Sequence, residues 1–216
     1  MTDIKKPFYR LYYAPGAASL VVHWLLIETN AQHELVSVDI AAGEHKKPEF
    51  LAMNPNGLIP TMLINQKPHY EAAALALHLG DAFPEAGLSF AFSDTERRVE
   101  LYQWMLNLAN VVQPILRAWW NPHEPAGEAH RDAVRTQCQE RLSREWTRID
   151  QHLAEHGALL GRITVADFFL VMLMRWSRNM PQPATNWPNL AALAARLKQR
   201  PSFAKLYEIE GLTEWT

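Results

Sequence analysis

The first third of the chain alternates between two hydrophobic periods. Short runs in which every second residue is apolar predict strands, because successive side chains of a strand point to opposite faces. Longer segments with apolar residues three or four positions apart predict helices. The strands are expected at residues 8–13, 35–40, 60–64 and 69–70, and the helices at residues 19–29, 47–53 and 72–83. This order, strand-helix-strand-helix-strand-strand-helix, predicts a mixed sheet flanked by helices.

The rest of the chain has only the helical period. Residues 84–93 contain Pro, Gly and Ser without periodicity, and Pro114 is expected to kink or break the first helix that follows them. The helices are expected at residues 94–120, 128–156, 164–178, 189–200 and 202–209, with a loop at residues 121–127. We therefore expect an α/β domain at residues 7–84, a linker at residues 85–93 and an all-helical (all-α) domain at residues 94–216.

The segment that begins at Thr164 has the sharpest local signal for the start of a helix. Thr164 and Asp167 have the spacing of a capping box, in which each side chain accepts a hydrogen bond from the backbone of the other residue. The helix that follows is almost wholly apolar, which is typical of a helix that is buried on all sides. We therefore predict that this helix is the central one of the second domain.

Residues 54–60, Asn-Pro-Asn-Gly-Leu-Ile-Pro, join a predicted helix to a predicted strand. Pro60 opens that strand although proline cannot donate a hydrogen bond to a sheet, and an X-Pro bond is the place where a cis peptide costs least. A cis bond between Ile59 and Pro60 would turn the N–H and C=O groups of Ile59 out of the sheet, where an extended peptide could pair with them. The alternative is an ordinary loop between a helix and a strand.

Composition and charge restrict the partners of the chain. Its formal net charge is −2 and it has no long basic run, so nucleic acid is not an expected partner. The longest apolar stretch, residues 168–174, is too short to span a bilayer. Residues 1–6 have no apolar core after their charges, which argues against a signal peptide and favours a cytoplasmic location. Cys138 is the single cysteine, so we expect a buried structural thiol and no internal disulfide.

Five short segments together resemble the glutathione transferase superfamily. They are residues 12–20 (Tyr-Tyr-Ala-Pro-Gly-Ala-Ala-Ser-Leu), residues 54–60, Glu71 with Ala72, residues 164–167 (Thr-Val-Ala-Asp) and residues 200–203 (Arg-Pro-Ser-Phe). The resemblance covers nearly the whole length of the chain. The most similar subgroup is the bacterial beta class, which shares the pattern Tyr-Tyr-x-Pro-Gly-x-Cys-Ser-Leu after its first strand.

The resemblance implies a thioredoxin-like N-terminal domain that holds glutathione. Ile59 would pair its backbone with the cysteinyl unit, with Pro60 in cis. Glu71 would bind the γ-glutamyl amine, and the N–H groups of Ala72 and Ala73 would bind the γ-glutamyl carboxylate, since a helix N-terminus favours an anion. Many family members carry serine where this chain has Ala72, so one hydroxyl is lost while the amides remain. The alternative is that Glu71 only caps the helix that follows it.

The chain departs from the beta class near the expected position of the glutathione thiol. Beta-class enzymes carry a cysteine, which can form a mixed disulfide with glutathione, where this chain has Ala18. Thiol-disulfide chemistry at this position is therefore excluded. The beta class also places a histidine and a lysine on the first long helix of its second domain. These fall at Ala109 and Asn110 when the segments are aligned on Pro114.

Three polar side chains remain as candidates for activating the glutathione thiol, which reacts as its thiolate. Ser19 stands at the start of the first helix, where it could donate a hydrogen bond to the thiolate or serve as a plain N-cap. Tyr12 matches the tyrosine of other classes, but Tyr12 and Tyr13 face opposite sides of the sheet and either could belong to the core. Asn110 is a further candidate from the second domain.

The activity implied by the resemblance is transfer of glutathione to the electrophilic carbon of a small apolar substrate. Glutathione would be the co-substrate, with no bound cofactor and no metal. Trp119 and Trp120 are expected beside the second substrate in a cleft between the domains, and the alternative for both is core or dimer packing. The family also implies a homodimer. The alternative function is a glutathione-binding protein with little or no catalytic activity. The residues that favour it are Ala18, Ala72, Ala109 and Asn110.

Overall fold

The computed structural model describes residues 7–215 of the chain. Residues 1–6, on which the expectation of no signal peptide rests, lie outside this range. The described chain separates into two packed units, one of residues 7–86 with 201–214 and one of residues 87–200 with Trp215. This division differs from the expected one in the last helix, which the sequence analysis assigned to the second domain.

Four strands form one mixed sheet in the first unit. They are β1 (Tyr9–Tyr13), β2 (His33–Ser37), β3 (Thr61–Ile64) and β4 (Lys67–Tyr70). In the order β2-β1-β3-β4, β1 is parallel to β2 and antiparallel to β3, and β3 is antiparallel to β4. The predicted mixed sheet is confirmed, although β2 lies nearer the N-terminus than the predicted strand at residues 35–40.

Ten α-helices lie within residues 7–215. They are α1 (Ser19–Glu28), α2 (Pro48–Leu51), α3 (Ala72–Ala82), α4 (Thr95–Asn107), α5 (Gln113–Trp120), α6 (His123–Ala126), α7 (Arg131–His156), α8 (Val165–Trp176), α9 (Pro188–Lys198) and α10 (Pro201–Glu210). The predicted helices are present with ends that differ by a few residues, and the segment expected as a loop at residues 121–127 contains α6. In the described part of the chain no helix combines the length and the apolar character needed to cross a bilayer.

Helix α1 supplies the apolar centre of the first unit. Its side chains are buried from Ser19 to Leu26, and it packs against α3 and α10. The ring centroids of Trp24 and Phe203 lie 5.2 Å apart, and Trp24 Nε1 donates a hydrogen bond to Ser202 Oγ at 2.9 Å. These contacts with α1 place α10 in the first unit.

Helix α8 is the central helix of the second unit, because every residue from Val165 to Arg175 is buried. The predicted capping box is present at its start. Asp167 accepts hydrogen bonds from the Thr164 N–H at 2.8 Å and from the Leu159 N–H at 2.9 Å. Burial raises the pKa of Asp167, and these hydrogen bonds counteract part of that shift. The predictions of a capping box and of a buried central helix are both confirmed.

Pro114 changes the geometry of the first long helix of the second unit. Helix α4 ends at Asn107, α5 begins at Gln113, and a π-helical turn, Leu108–Val112, connects them. Because proline has no N–H group, the C=O of Asn110 loses its usual partner four residues later. The Gln113 N–H instead donates to the C=O of Leu108, five residues earlier. The sequence predicted a kink or a break at Pro114, and in the structure this π-helical turn interrupts the α-helix directly before α5, which contains Pro114.

Candidate functional site

The register of the sheet gathers the predicted glutathione-binding segments at one end of the first unit. Tyr12 on β1 lies opposite Thr61 on β3, and Thr61 lies opposite Tyr70 on β4. The loop after β1, the Ile59-Pro60 pair before β3 and Glu71 after β4 therefore share this end of the sheet. The N-termini of α1 and α3 follow these segments directly, so both helix N-termini belong to the same end. In α1 the Leu20 N–H already donates to the C=O of Ala17 at 3.0 Å.

The segment before β3 presents an unused pair of backbone groups. The Ile59–Pro60 peptide bond is cis, as expected from the sequence. Pro60 is buried and Ile59 is half-buried. Within residues 7–215, neither the N–H nor the C=O group of Ile59 makes a hydrogen bond. An extended peptide can pair with both groups, in the manner of an added strand.

Asn54 holds the loop that leads to Ile59. This side chain is buried, and its Nδ2 group donates hydrogen bonds to the C=O of Leu58 at 2.9 Å and to Thr61 Oγ1 at 3.2 Å. Its Oδ1 atom accepts a hydrogen bond from the Asn56 N–H at 3.1 Å. The asparagine thus holds this turn through backbone groups of Asn56 and Leu58 and through the side chain of Thr61.

The segment that contains His45 and Lys46 contacts this loop at Gly57. Lys46 Nζ donates to the C=O of Gly57 at 2.8 Å. Gly57 has φ of +54°, and a Cβ atom there would lie 2.9 Å from Lys46 Nζ and 2.9 Å from the C=O oxygen of His45. Only glycine fits this close approach. Sequence reasoning missed Lys46, because nothing in the spacing indicates that these two loops meet.

Glu71 has an unusual backbone conformation, with φ of 76° and ψ of 107°. A non-glycine residue at positive φ costs on the order of 1–3 kcal/mol and persists only where the surroundings hold it. The side chain is exposed and makes no cap hydrogen bond with α3. Glu71 thus occupies the N-cap position of α3, but its carboxylate does not cap the helix. Among the described residues its carboxylate has no hydrogen-bond or ion-pair partner, so it is available to a ligand next to Ala72.

Ser19 is the first residue of α1 and is fully buried. The N-cap is Ala18, so the interpretation of Ser19 as a plain N-cap is wrong. Ser19 Oγ donates to the C=O of Ala14 at 3.2 Å and accepts a hydrogen bond from the Ala14 N–H at 3.3 Å. The hydroxyl thus ties the start of the helix to the end of the preceding loop.

Tyr12 and Tyr13 face opposite sides of the sheet, as the alternation of a strand requires. The Tyr12 ring lies 6.1 Å from that of Phe50 on α2, and the Tyr13 ring lies 5.7 Å from that of His23 on α1. Tyr12 is half-buried and shares its face with Arg10. Glu34, and to a smaller extent Tyr12, raise the pKa of Arg10. The Tyr12 hydroxyl therefore stands in a polar environment at the edge of the core.

The three site residues predicted in the second unit lie on its first helical segments. Asn110 is exposed and occupies the middle of the π-helical turn. Trp119 and Trp120 end α5, with their rings nearly perpendicular and their centroids 5.2 Å apart. Trp120 is 40% exposed, and its Nε1 group donates to the C=O of Trp176 at 2.9 Å. The place of these residues beside a second substrate stays a prediction.

The described residues contain neither a cluster of metal ligands nor an exposed cysteine. No group of three or more His, Cys, Asp or Glu side chains there could hold a metal ion. Cys138 is buried on α7, and burial raises the pKa of its thiol. A raised pKa disfavours the reactive thiolate, so the expectation of a structural thiol is confirmed.

Profiles of the two domains of one protein family match the chain. The profile described as "Glutathione S-transferase, N-terminal domain" matches residues 8–81, and that described as "Glutathione S-transferase, C-terminal domain" matches residues 109–208. Among curated proteins, the chain is 27% identical over 206 residues to glutathione S-transferase GstA of Escherichia coli O157:H7. That alignment covers 94% of this chain and 99% of the relative.

Two solved structures are similar over almost their whole length. A bacterial beta class glutathione S-transferase of Sphingomonas chungbukensis has a TM-score of 0.82 and 26% identity, with 94% of this chain and 100% of that chain covered. A sphingomonad glutathione S-transferase complexed with glutathione has a TM-score of 0.82 and 27% identity, with the same coverage of 94% and 100%.

With the sheet, the helical unit and both domain profiles in agreement, the chain belongs to the glutathione S-transferase superfamily and resembles its bacterial beta class. It is a transferase that uses glutathione as co-substrate. The cysteine of the beta-class pattern is absent, because Ala18 stands in its place and the single cysteine, Cys138, is buried on α7.

Proposed function

We propose that glutathione binds at the end of the sheet where β1 stops and β3 begins, and that the enzyme joins it to a small apolar electrophile. The thiol loses its proton and its sulfur forms a bond to the electrophilic carbon, which releases a leaving group such as a halide ion or, in an addition, leads to uptake of a proton. The observation that carries this proposal is the unused backbone pair of Ile59, which lies beside the exposed carboxylate of Glu71 at one end of the sheet. A tripeptide with a free amine offers a partner to each group. The N–H and C=O of Ile59 pair with its cysteinyl unit, and Glu71 pairs with its amine.

The γ-glutamyl carboxylate belongs at the N-terminus of α3. The first-turn N–H groups of Ala72 and Ala73 have no acceptor inside the helix, and the helix dipole favours an anion there. Ala72 is buried and has no side chain that could block the approach. At the other end of the peptide, the glycyl carboxylate pairs with the ammonium group of Lys46. This group is hydrogen-bonded to the C=O of Gly57 in the loop before Ile59.

The thiol then lies near the N-terminus of α1, where hydrogen-bond donors stabilise a thiolate. We assign Ser19 as the first donor, since its hydroxyl is at the first residue of α1. Its single proton is held by the C=O of Ala14, so the bound thiolate competes with this carbonyl. Tyr12 and Asn110 are the further proposed donors, and Trp119 and Trp120 are proposed to contact the electrophile.

A homodimer is part of the proposal. Val99, Tyr102 and Leu106 repeat at intervals of three and four residues on α4, and they are 57%, 37% and 55% exposed. An exposed apolar stripe at helical spacing is typical of a surface that another protein covers. The occupant is a second copy of this chain, as the family implies. A cytoplasmic location stays a prediction from the sequence.

The variant Glu71→Gly tests the glutathione site with two opposite readouts. Glycine tolerates φ of 76°, so the variant is expected to gain about 1 kcal/mol in the free energy of unfolding. Glutathione affinity, measured by calorimetry, is expected to fall about tenfold, which is about 1.4 kcal/mol, because the partner of the amine is lost. Loss of binding together with a gain in stability cannot result from damage to the fold.

The control is Glu155→Gly, which removes the same charge from an exposed position on α7, where glycine costs about 1 kcal/mol of stability. Its affinity for glutathione is expected to equal that of the wild type. If the wild-type protein gives no heat with glutathione and no competition by an S-alkyl glutathione, the proposed site is wrong.

A further inference from the structure

A buried carboxylate links the end of the chain to the loop before α1. Glu210, the last residue of α10, has a side chain with no exposed surface. Its Oε2 atom accepts a hydrogen bond from the Gly16 N–H at 2.8 Å, across 194 residues of sequence. Its Oε1 atom lies 2.8 Å from Nδ1 of His23, a fully buried side chain in the middle of α1.

Stability alone does not account for a glutamate at this place. Removing a carboxylate from water is unfavourable unless its partners compensate fully. Glu210 also ends its helix, since Gly211 follows with φ of 64°, and the dipole disfavours an anion at a helix C-terminus. His23 adds a third cost, because its Nε2 atom is buried and has no hydrogen-bond partner within the described residues.

The carboxylate acts on the turn that precedes the first residues of α1. Gly16 has φ of 68°, a left-handed conformation that glycine adopts without strain. The turn is closed by a hydrogen bond from the Ala17 N–H to the C=O of Ala14 at 3.1 Å. Ala14 is also the partner of the Ser19 hydroxyl. By accepting the hydrogen bond of the Gly16 N–H, Glu210 fixes the turn and with it the position of the first residues of α1.

We propose that Glu210 is a positioning residue for glutathione transfer, which holds the turn at Gly16 so that Ser19 and the first N–H groups of α1 lie at the glutathione thiol. This inference rests on the proposed place of the thiol at the start of α1. His23 holds the second oxygen of the carboxylate and so directs the first one to Gly16. Glu210 itself does not touch the substrate.

The test compares Glu210→Ala with Glu210→Gln. Glutamine keeps an oxygen for the Gly16 N–H, and its amide group can donate to His23 Nδ1 when the imidazole proton moves to Nε2. We expect Glu210→Ala to lower kcat about tenfold with less than a twofold change in KM for glutathione, because a small misplacement at the thiol slows chemistry more than binding. Glu210→Gln is expected to stay within about threefold of the wild-type kcat.

Ser202→Ala and Glu208→Gln are the matched controls on the same helix. Ser202 joins α10 to α1 at the other end, through Trp24 and Glu28, without a contact to Gly16. Ser202→Ala is expected to lower the melting temperature and to leave kcat unchanged. Glu208 is exposed, and Glu208→Gln is expected to change neither quantity. A Ser202→Ala variant that loses kcat as Glu210→Ala does would overturn the proposal, since any loosening of α10 would then suffice.

Amide hydrogen exchange in the protein without glutathione provides a readout that does not depend on activity. Exchange at the Gly16 N–H is expected to accelerate at least tenfold in Glu210→Ala and not in Ser202→Ala, because only the first change removes its acceptor. Unchanged exchange at Gly16, or wild-type kcat in Glu210→Ala, would overturn the positioning role. Failure of the wild type to bind glutathione would instead overturn the proposed site, while the exchange result would still report on the turn.

Discussion

Ser19 Oγ has one proton, and in this fold that proton is donated to the backbone C=O of Ala14. The sequence shows a hydroxyl at the start of a helix, but it does not show which acceptor the hydroxyl has. Glu71 has the reverse property. Its carboxylate looked like a helix cap in the sequence, and in the structure it makes no hydrogen bond to the first turn of α3. At the scale of single residues, the hydrogen-bond partners of a polar side chain decide what it can bind. Those partners depend on the backbone angles of the residue and on the groups packed around it.

The variant Ser19→Ala tests the assigned thiolate donor. We expect kcat/KM with a generic aryl halide to fall at least about tenfold, roughly 1.4 kcal/mol in the barrier, because the thiolate loses a hydrogen bond. The control is Tyr12→Phe, which keeps the ring against Phe50 and removes only the hydroxyl. We expect its kcat/KM to fall less than about threefold. An unchanged rate in Ser19→Ala with a tenfold loss in Tyr12→Phe would transfer the donor role to Tyr12.

Helices α4 and α8 begin where a local side chain accepts a hydrogen bond from a first-turn N–H group. The capping box at Thr164 and Asp167 is predictable because its partners are three residues apart. Asp167 also reaches the Leu159 N–H in the preceding turn. That contact is not part of the motif, and it ties the loop to the helix. The start of α8 is therefore determined locally, while its anchoring to the rest of the unit is tertiary.

The variant Asp167→Ala is expected to lower the free energy of unfolding by about 3 kcal/mol, because it leaves buried N–H groups at Leu159 and Thr164 without acceptors. Chemical denaturation measures this change. The control is Asp94→Ala at the N-cap of α4, where an exposed carboxylate accepts one hydrogen bond, from the Arg97 N–H. Its expected cost is about 1 kcal/mol. If both variants lost the same free energy of unfolding, burial of the Asp167 carboxylate would not be the reason for the larger expected loss.

At the scale of the whole molecule, the exposed stripe on α4 is the feature that a second copy would cover. The wild-type protein is expected to have twice the 24.7 kDa mass of one chain at micromolar concentration, measured by light scattering. Leu106→Glu places a charge in the stripe and is expected to produce a monomer. Ile40→Glu changes an apolar residue of similar exposure, 44%, in the first unit and is expected to remain dimeric. A monomeric wild type would contradict the proposed dimer.

The periods of apolar residues were sufficient to predict the mixed sheet and the helical second unit, while Pro114 predicted a disturbed helix and the spacing of Thr164 and Asp167 predicted the capped central helix. Each of these depends on backbone preferences and contacts within a few residues. The cis bond at Ile59 was predictable for the same reason, since proline alone makes that isomer accessible.

The tertiary structure alone decided which distant groups meet. Helix α10 packs in the first unit because its apolar face and Ser202 match α1, and no local pattern encodes that match. Glu210 reaches Gly16 only after the chain between them has folded. Local sequence selects secondary structure, but the partners of a buried polar group follow from the packing of the whole unit. The local signals therefore identify the loop that we propose to bind glutathione, and only the folded chain shows that Glu210 holds the turn before α1.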